Sequence, residues 1–242
     1  MGTEREYIER AIERGFKVLG FSDHTPQPYT SGFVSNIRMD MDEIPDYTGT
    51  LVKLREEYKD RIKIYIGYEV EYFRAFFPTL IEELRKYPLD YLIQGQHHIP
   101  QEENGIYVGF KTADEKVLAD YVEHCIEGME TGLFLYLAHP DLINFVGDEK
   151  IYLKHMGHLV DAAKSLNMPL EVNVYGFIDG RQYPSDLFFQ MASEKGAKFV
   201  VGCDAHAPNV IRQIEDIPGF GEFLARNKID VGDNVLEIKG LF

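Results

Sequence analysis

Apolar residues recur along this chain at two alternating periods. In residues 4–14, Tyr7, Ile8, Ala11 and Ile12 mark one face of a helix, and Gly15 closes it. The next stretch, Phe16 to His24, is apolar nearly throughout and stops at a polar tip, as a buried strand does. The exchange then repeats. Strands are predicted over 62–73, 89–98, 133–142, 169–176 and 197–206. Helices are predicted over 41–60, 78–87, 113–131, 149–166 and 184–196. The tail, 208–242, reads as short helices with a last short strand at 234–240. Residues 25–41 have no periodicity and read as a long loop, a place for function more than for packing. Near-continuous apolar strands alternating with helices predict an α/β fold, a parallel sheet covered on both faces. The 242 residues fit one domain, 1–242.

In α/β barrels the active site lies at the C-terminal ends of the strands. The run "VVGCDAHAP" ends such a strand with Asp204 and His206, two residues apart and so on one face. The other ends carry Asp23 and His24, Glu69 and Glu71, His97 and His98, His139 and Asp141, and Glu171 and Asn173. Any one of these could be a loop cap; the convergence of the set is the signal. Imidazole and carboxylate donors suit Zn, Fe or Mn. Two such ions about 3.5–4 Å apart suit hydrolysis of a phosphate ester. Adjacent His97 and His98 cannot share a strand face, so His98 is expected as the ligand, with His97 in a supporting or purely structural role. Within the pairs Glu69/Glu71 and Glu171/Asn173, one member is expected to support the other. His124, His155 and His158 fall on predicted helices and read as solvated faces. Arg181, in "GRQYPS" before a helix start, and Arg38, in the long loop, are candidate anion binders.

Charge narrows the partners. A net charge of -15 and a pI near 4.9 argue against nonspecific binding to nucleic acid or anionic membrane. Cys125 and Cys203 are too few for a disulfide framework, and a reducing, cytoplasmic setting is expected. Cys125 reads as core and Cys203 as a buried neighbour of the site. No apolar run approaches a membrane span, and the first residues do not read as a signal peptide.

The ordered set "FSDHTP", "GYEVEY", "GQHHI", "AHPDLI", "EVNVYG", "YPS" and "GCDAHAP" resembles the PHP family, named for polymerase and histidinol phosphatase, and within it the histidinol-phosphatase branch. The resemblance implies a distorted (β/α)7 TIM-like barrel holding up to three divalent ions: Zn, Fe or Mn. By position, Glu69 would bridge two ions, His98 and His139 would complete one, and Asp204 would serve the other. His24 and His206 would hold the third. Arg181 looks like the phosphate grip, and Glu71 or the loop around Arg38 would meet the rest of the substrate. His206, or an acid near His24 such as Asp23, would assist the leaving alkoxide. The implied reaction converts L-histidinol phosphate and water to L-histidinol and phosphate. The alternatives are another small phosphate ester or nucleotide, or a metal-binding module without catalysis. One departure stands out: the family opens on a strand with a His-x-His motif, and this sequence opens on a helix. Six strands instead of seven imply fewer bound ions. They also imply an open sheet edge that favours a homo-oligomer.

Overall fold

Capping and burial set the elements that carry the site. In a computed structural model, residues 2–232, 236–238 and 240–241 are described. Thr3 and Glu6 cap helix α1 (Glu4–Glu13) reciprocally, leaving fewer free N–H groups at its start. Strands β1 (Val18–His24), β2 (Lys63–Val70) and β3 (Tyr91–Gln94) pair in parallel in that order. Their register sets His24 opposite Glu69 and Glu69 opposite Ile93. Parallel bridges from Gln94 to Leu137 and from Leu137 to Leu170 carry the sheet on to β6 (Leu170–Asn173). Beyond it, β7 (Phe199–Gly202) pairs in parallel with β6. The whole is the expected α/β alternation.

The predicted strand at 133–142 is irregular. It keeps hydrogen bonds from Leu135 N–H to Leu92 O and from Ala138 N–H to Gln94 O. It then breaks where His139 takes a left-handed φ of 37° just before Pro140. Two short strands, β4 (His98–Ile99) and β5 (Ile106–Tyr107), form an antiparallel hairpin that periodicity does not announce. The strand expected over 89–98 divides because β3 ends at Gln94 and the chain leaves the sheet after Gly95, whose N–H still meets Val70 O at 3.0 Å.

Helices α2 (Ile44–Tyr58), α3 (Phe77–Leu84), α4 (Glu115–Glu130), α5 (Glu149–Ser165) and α7 (Asp186–Glu194) cover the sheet. Their apolar faces meet Ile66, Leu92, Leu137, Leu170 and Val172 in one core. Each such side chain contributes about 1.5–3 kcal/mol on burial. A smaller cluster of Ile8, Ala11, Tyr58, Ile64 and Ile211 seats α1 against α2 and β2. His124, expected on a solvated face, is buried on α4, because that side of the helix packs on the sheet. His155 is partly buried and meets Glu115 at 2.8 Å, and His158 is exposed as expected.

The sheet does not close among the described residues: β1 and β7 are not paired with each other. A cavity of about 580 Å³ lies between them, lined by Gly20, Ser22, Val200, Cys203, Leu236 and Ile238 among others. The short helices α6 (Val174–Ile178) and α8 (Phe220–Arg226) complete the chain. The strand expected at 234–240 falls partly on 234, 235 and 239, outside the described residues. No helix among the described residues is long and apolar enough to cross a membrane.

Candidate metal centre

Glu69 is the hub. It sits near the end of β2, 7% exposed, with imidazoles on three sides. His139 Nε2 lies 2.7 Å from its Oε1, His24 Nδ1 3.6 Å from its Oε2, and His97 Nε2 3.7 Å from its Oε1. The rings of His24 and His97 stand 4.9 Å apart, and those of His97 and His139 4.8 Å apart. His24, Glu69 and His97 offer ligand atoms within 4.8 Å of one another. The His24 Nδ1 that faces Glu69 is buried without a hydrogen-bond partner. Buried polar nitrogens are seldom left so, and an ion between it and Glu69 would satisfy it. The donor set therefore fits a divalent ion.

Electrostatics agree with this packing. Burial alone would raise the Glu69 carboxyl, yet His24, His97 and His139 hold it below the ordinary range. Burial pushes His97 down to about 3, leaving a neutral ring able to act as a ligand. Burial also works against charge on His139, but its hydrogen bond to Glu69 outweighs this and lifts it to about 9.

The backbone makes room for these carboxylates with two glycines. A Cβ on Gly95 would stand 1.8 Å from Glu69 Oε1, and one on Gly202 1.7 Å from Glu171 Oε1. Each carboxylate thus leans over a neighbouring strand at a residue without a side chain. Glu171 accepts from His139 N–H at 2.9 Å and from Asn173 Nδ2 at 2.9 Å. Burial raises it to about 7. Asn173 caps α6 and also donates to Asp204 Oδ2 at 3.1 Å. These two residues brace His139 and Asp204, as their place on one face predicts.

Four sequence expectations change. His97, not His98, joins Glu69 and His24; strand alternation no longer applies past Gln94, so both rings reach the same cavity. Arg38 and Glu71, expected to meet substrate, are buried against each other as an ion pair, each side chain 1% exposed. Opposite charges taken from water are retained by pairing, and this pair lies away from the open cavity. Asp23 is exposed; its Oδ1 accepts from His24 N–H at 2.8 Å, and it lines the gap between β1 and β7. Asp141 accepts from Ser185 N–H at 2.7 Å and so anchors the loop leading into α7.

The remaining expected residues converge. A cavity of about 330 Å³ is lined by His24, Glu69, His97, His98, His139, Asp204, His206 and Arg181. Tyr107, Tyr183, Ile37 and Leu142 complete its wall. Arg181 is held by Asp179 at 2.9 Å, Tyr183 OH at 3.1 Å and Tyr175 OH at 3.3 Å. His206 stacks on Tyr175 with centroids 4.5 Å apart and keeps 53% of its side chain exposed. The tyrosines escaped the sequence reading; "VYG" and "QYPS" carried them beside motifs already singled out.

Fold and site together define an α/β protein with an imidazole–carboxylate centre at the strand ends. A PHP domain model matches residues 2–175, and the chain belongs to the PHP family. It is 25% identical over 240 residues to a Deinococcus radiodurans protein named "Probable histidinol-phosphatase", covering 90% of this chain and 88% of that one. A Schizosaccharomyces pombe protein of the same name is 26% identical over 258 residues, covering 95% of this chain and 81% of that one. Among solved structures, histidinol phosphate phosphatase from Lactococcus lactis, complexed with Zn, L-histidinol and phosphate, superposes with a TM-score of 0.69. The two are 21% identical, with 94% of this chain and 88% of that chain covered, a likeness of fold.

Proposed function

We propose that this chain is a metal-dependent phosphoesterase that hydrolyses L-histidinol phosphate to L-histidinol and phosphate. One observation carries the reading: the cluster of buried Glu69 with half-buried His24 and His97 opens into the same 330 Å³ cavity as the braced Arg181 guanidinium. Cavities of this size suit small ligands. His24, Glu69 and His97 would hold a divalent ion, with His139 and Asp204 at hand for further ions, and zinc is the ion of the Lactococcus structure. A divalent ion there supplies charge against the phosphoryl oxygens and acidifies water.

The chain's own residues do the rest. Arg181 offers a planar fork of donors to phosphate oxygens, and its three partners fix the direction of that fork. Tyr183 and Tyr107 wall the cavity and limit water. His206, partly exposed on Tyr175, can hold a proton for the departing alkoxide. The surplus of acidic residues makes such a local cation necessary for an anionic substrate.

The test is phosphate release by the full chain, stripped with chelator and reloaded with Zn, Mn or Fe. Substrates are histidinol phosphate, a simple alkyl phosphate and a nucleoside monophosphate. Metal-dependent turnover that favours histidinol phosphate is expected. Preference for the nucleotide would move the assignment to another phosphate ester, and metal uptake without turnover to a binding module.

A further inference from the structure

The segment between β1 and α2 is held over the site by carboxylates. Glu102, in the turn between β4 and β5, accepts from Ser35 Oγ at 2.6 Å, Arg38 Nε at 2.8 Å and Tyr29 OH at 3.2 Å. Arg38 also donates to Thr25 O at 3.0 Å and pairs with Glu71. Glu71 Oε1 in turn accepts from two successive backbone N–H groups, His97 at 2.7 Å and His98 at 2.6 Å. That same oxygen lies 3.3 Å from His98 Nδ1. One guanidinium therefore reaches, through one carboxylate, the dipeptide that presents two imidazoles to the cavity.

We propose that Arg38 is a positioning residue for the metal centre, acting through Glu71 on His97 and His98. The proposal rests on the metal-centre reading above. Two adjacent N–H groups on one oxygen fix the tilt of the peptide between them, and so the direction in which the His97 ring departs toward Glu69. The carboxylate can serve only if its other oxygen is held in place, and Arg38 holds it. The guanidinium is itself held by Glu102 and Thr25 and lies 5.9 Å from the Phe73 ring centre. A lysine could keep the charge but not the three-way fork. Partners of this kind commonly carry a 10–100-fold share of metal affinity, because ligand geometry tolerates only about half an ångström of error.

The experiment measures zinc affinity by competition with a chromogenic chelator, on the full chain and on R38K, R38M and R38M/E71Q. Far-UV circular dichroism is recorded on each. R38M is expected to bind zinc at least about 10-fold more weakly with its dichroism unchanged, and R38K to lie between it and the parent. A folded R38M with parental zinc affinity overturns the proposal. Should R38M not fold, the same criterion is read on R38K and on R38M/E71Q, which removes the Glu71 charge together with that of Arg38. A parent chain that binds zinc but releases no phosphate overturns the assigned reaction only, since the affinity ratio still decides the role of Arg38. A parent that binds no zinc overturns both.

Discussion

At the scale of single residues, the centre depends as much on what is missing as on what is present. Gly95 and Gly202 supply the space into which Glu69 and Glu171 lean. Gly95→Ala is expected to displace Glu69, lowering zinc affinity and phosphate release by at least about 10-fold while dichroism is retained. Gly202→Ala acts on Glu171, which only braces His139, and should cost less. Equal zinc affinity in Gly95→Ala and the parent would mean that Glu69 is not the hub. Most of the metal-type residues were legible, because a polar residue ending an apolar run is conspicuous. The choice between His97 and His98 was not. It turned on where β3 stops, and pattern does not fix a strand end to within a residue. Arg38 was misjudged for another reason: a sequence does not show that Glu71 and Glu102 are waiting for it.

At the scale of elements, α4 shows how a helix face can hide a titratable group. His124 donates from Nδ1 to Asp120 O at 2.7 Å, and its Nε2 is buried without a partner. Burial lowers its affinity for a proton. The unfolded chain therefore takes up the proton first. The stability tied to this group is complete above the ordinary histidine range and is lost as pH falls through it. Urea unfolding at pH 7 and pH 5 should show the parent losing stability relative to His124→Gln. A constant difference between the two would contradict a buried neutral ring. Helices were the most legible elements, since α4, α5 and α7 pair long apolar faces with N-cap residues Asp114, Asp148 and Ser185. The β4–β5 hairpin was not, because two residues per strand are too few for any period to appear.

At the scale of the molecule, alternation of strand and helix was enough to predict a parallel sheet, but its continuity through 133–142 rests on tertiary hydrogen bonds. The gap between β1 and β7 gives the two thiols different fates. Cys203 lines that gap, whereas Cys125 is fully buried in the core. Burial also raises Cys203 to about 11, so its thiolate is scarce near neutrality. A disulfide reagent at pH 8 should therefore titrate one thiol per chain slowly, and both at once in denaturant; fast reaction of both in the native protein would rule out this packing. The carboxylate of Glu102 joins two stretches that are distant in sequence, the 29–38 segment and the hairpin around 98–107. Because neither can lift without breaking the other's hydrogen bonds, they form one cooperative opening unit. Their amides should exchange with deuterium at a common rate, and Glu102→Gln should speed both together while leaving those of β2 untouched.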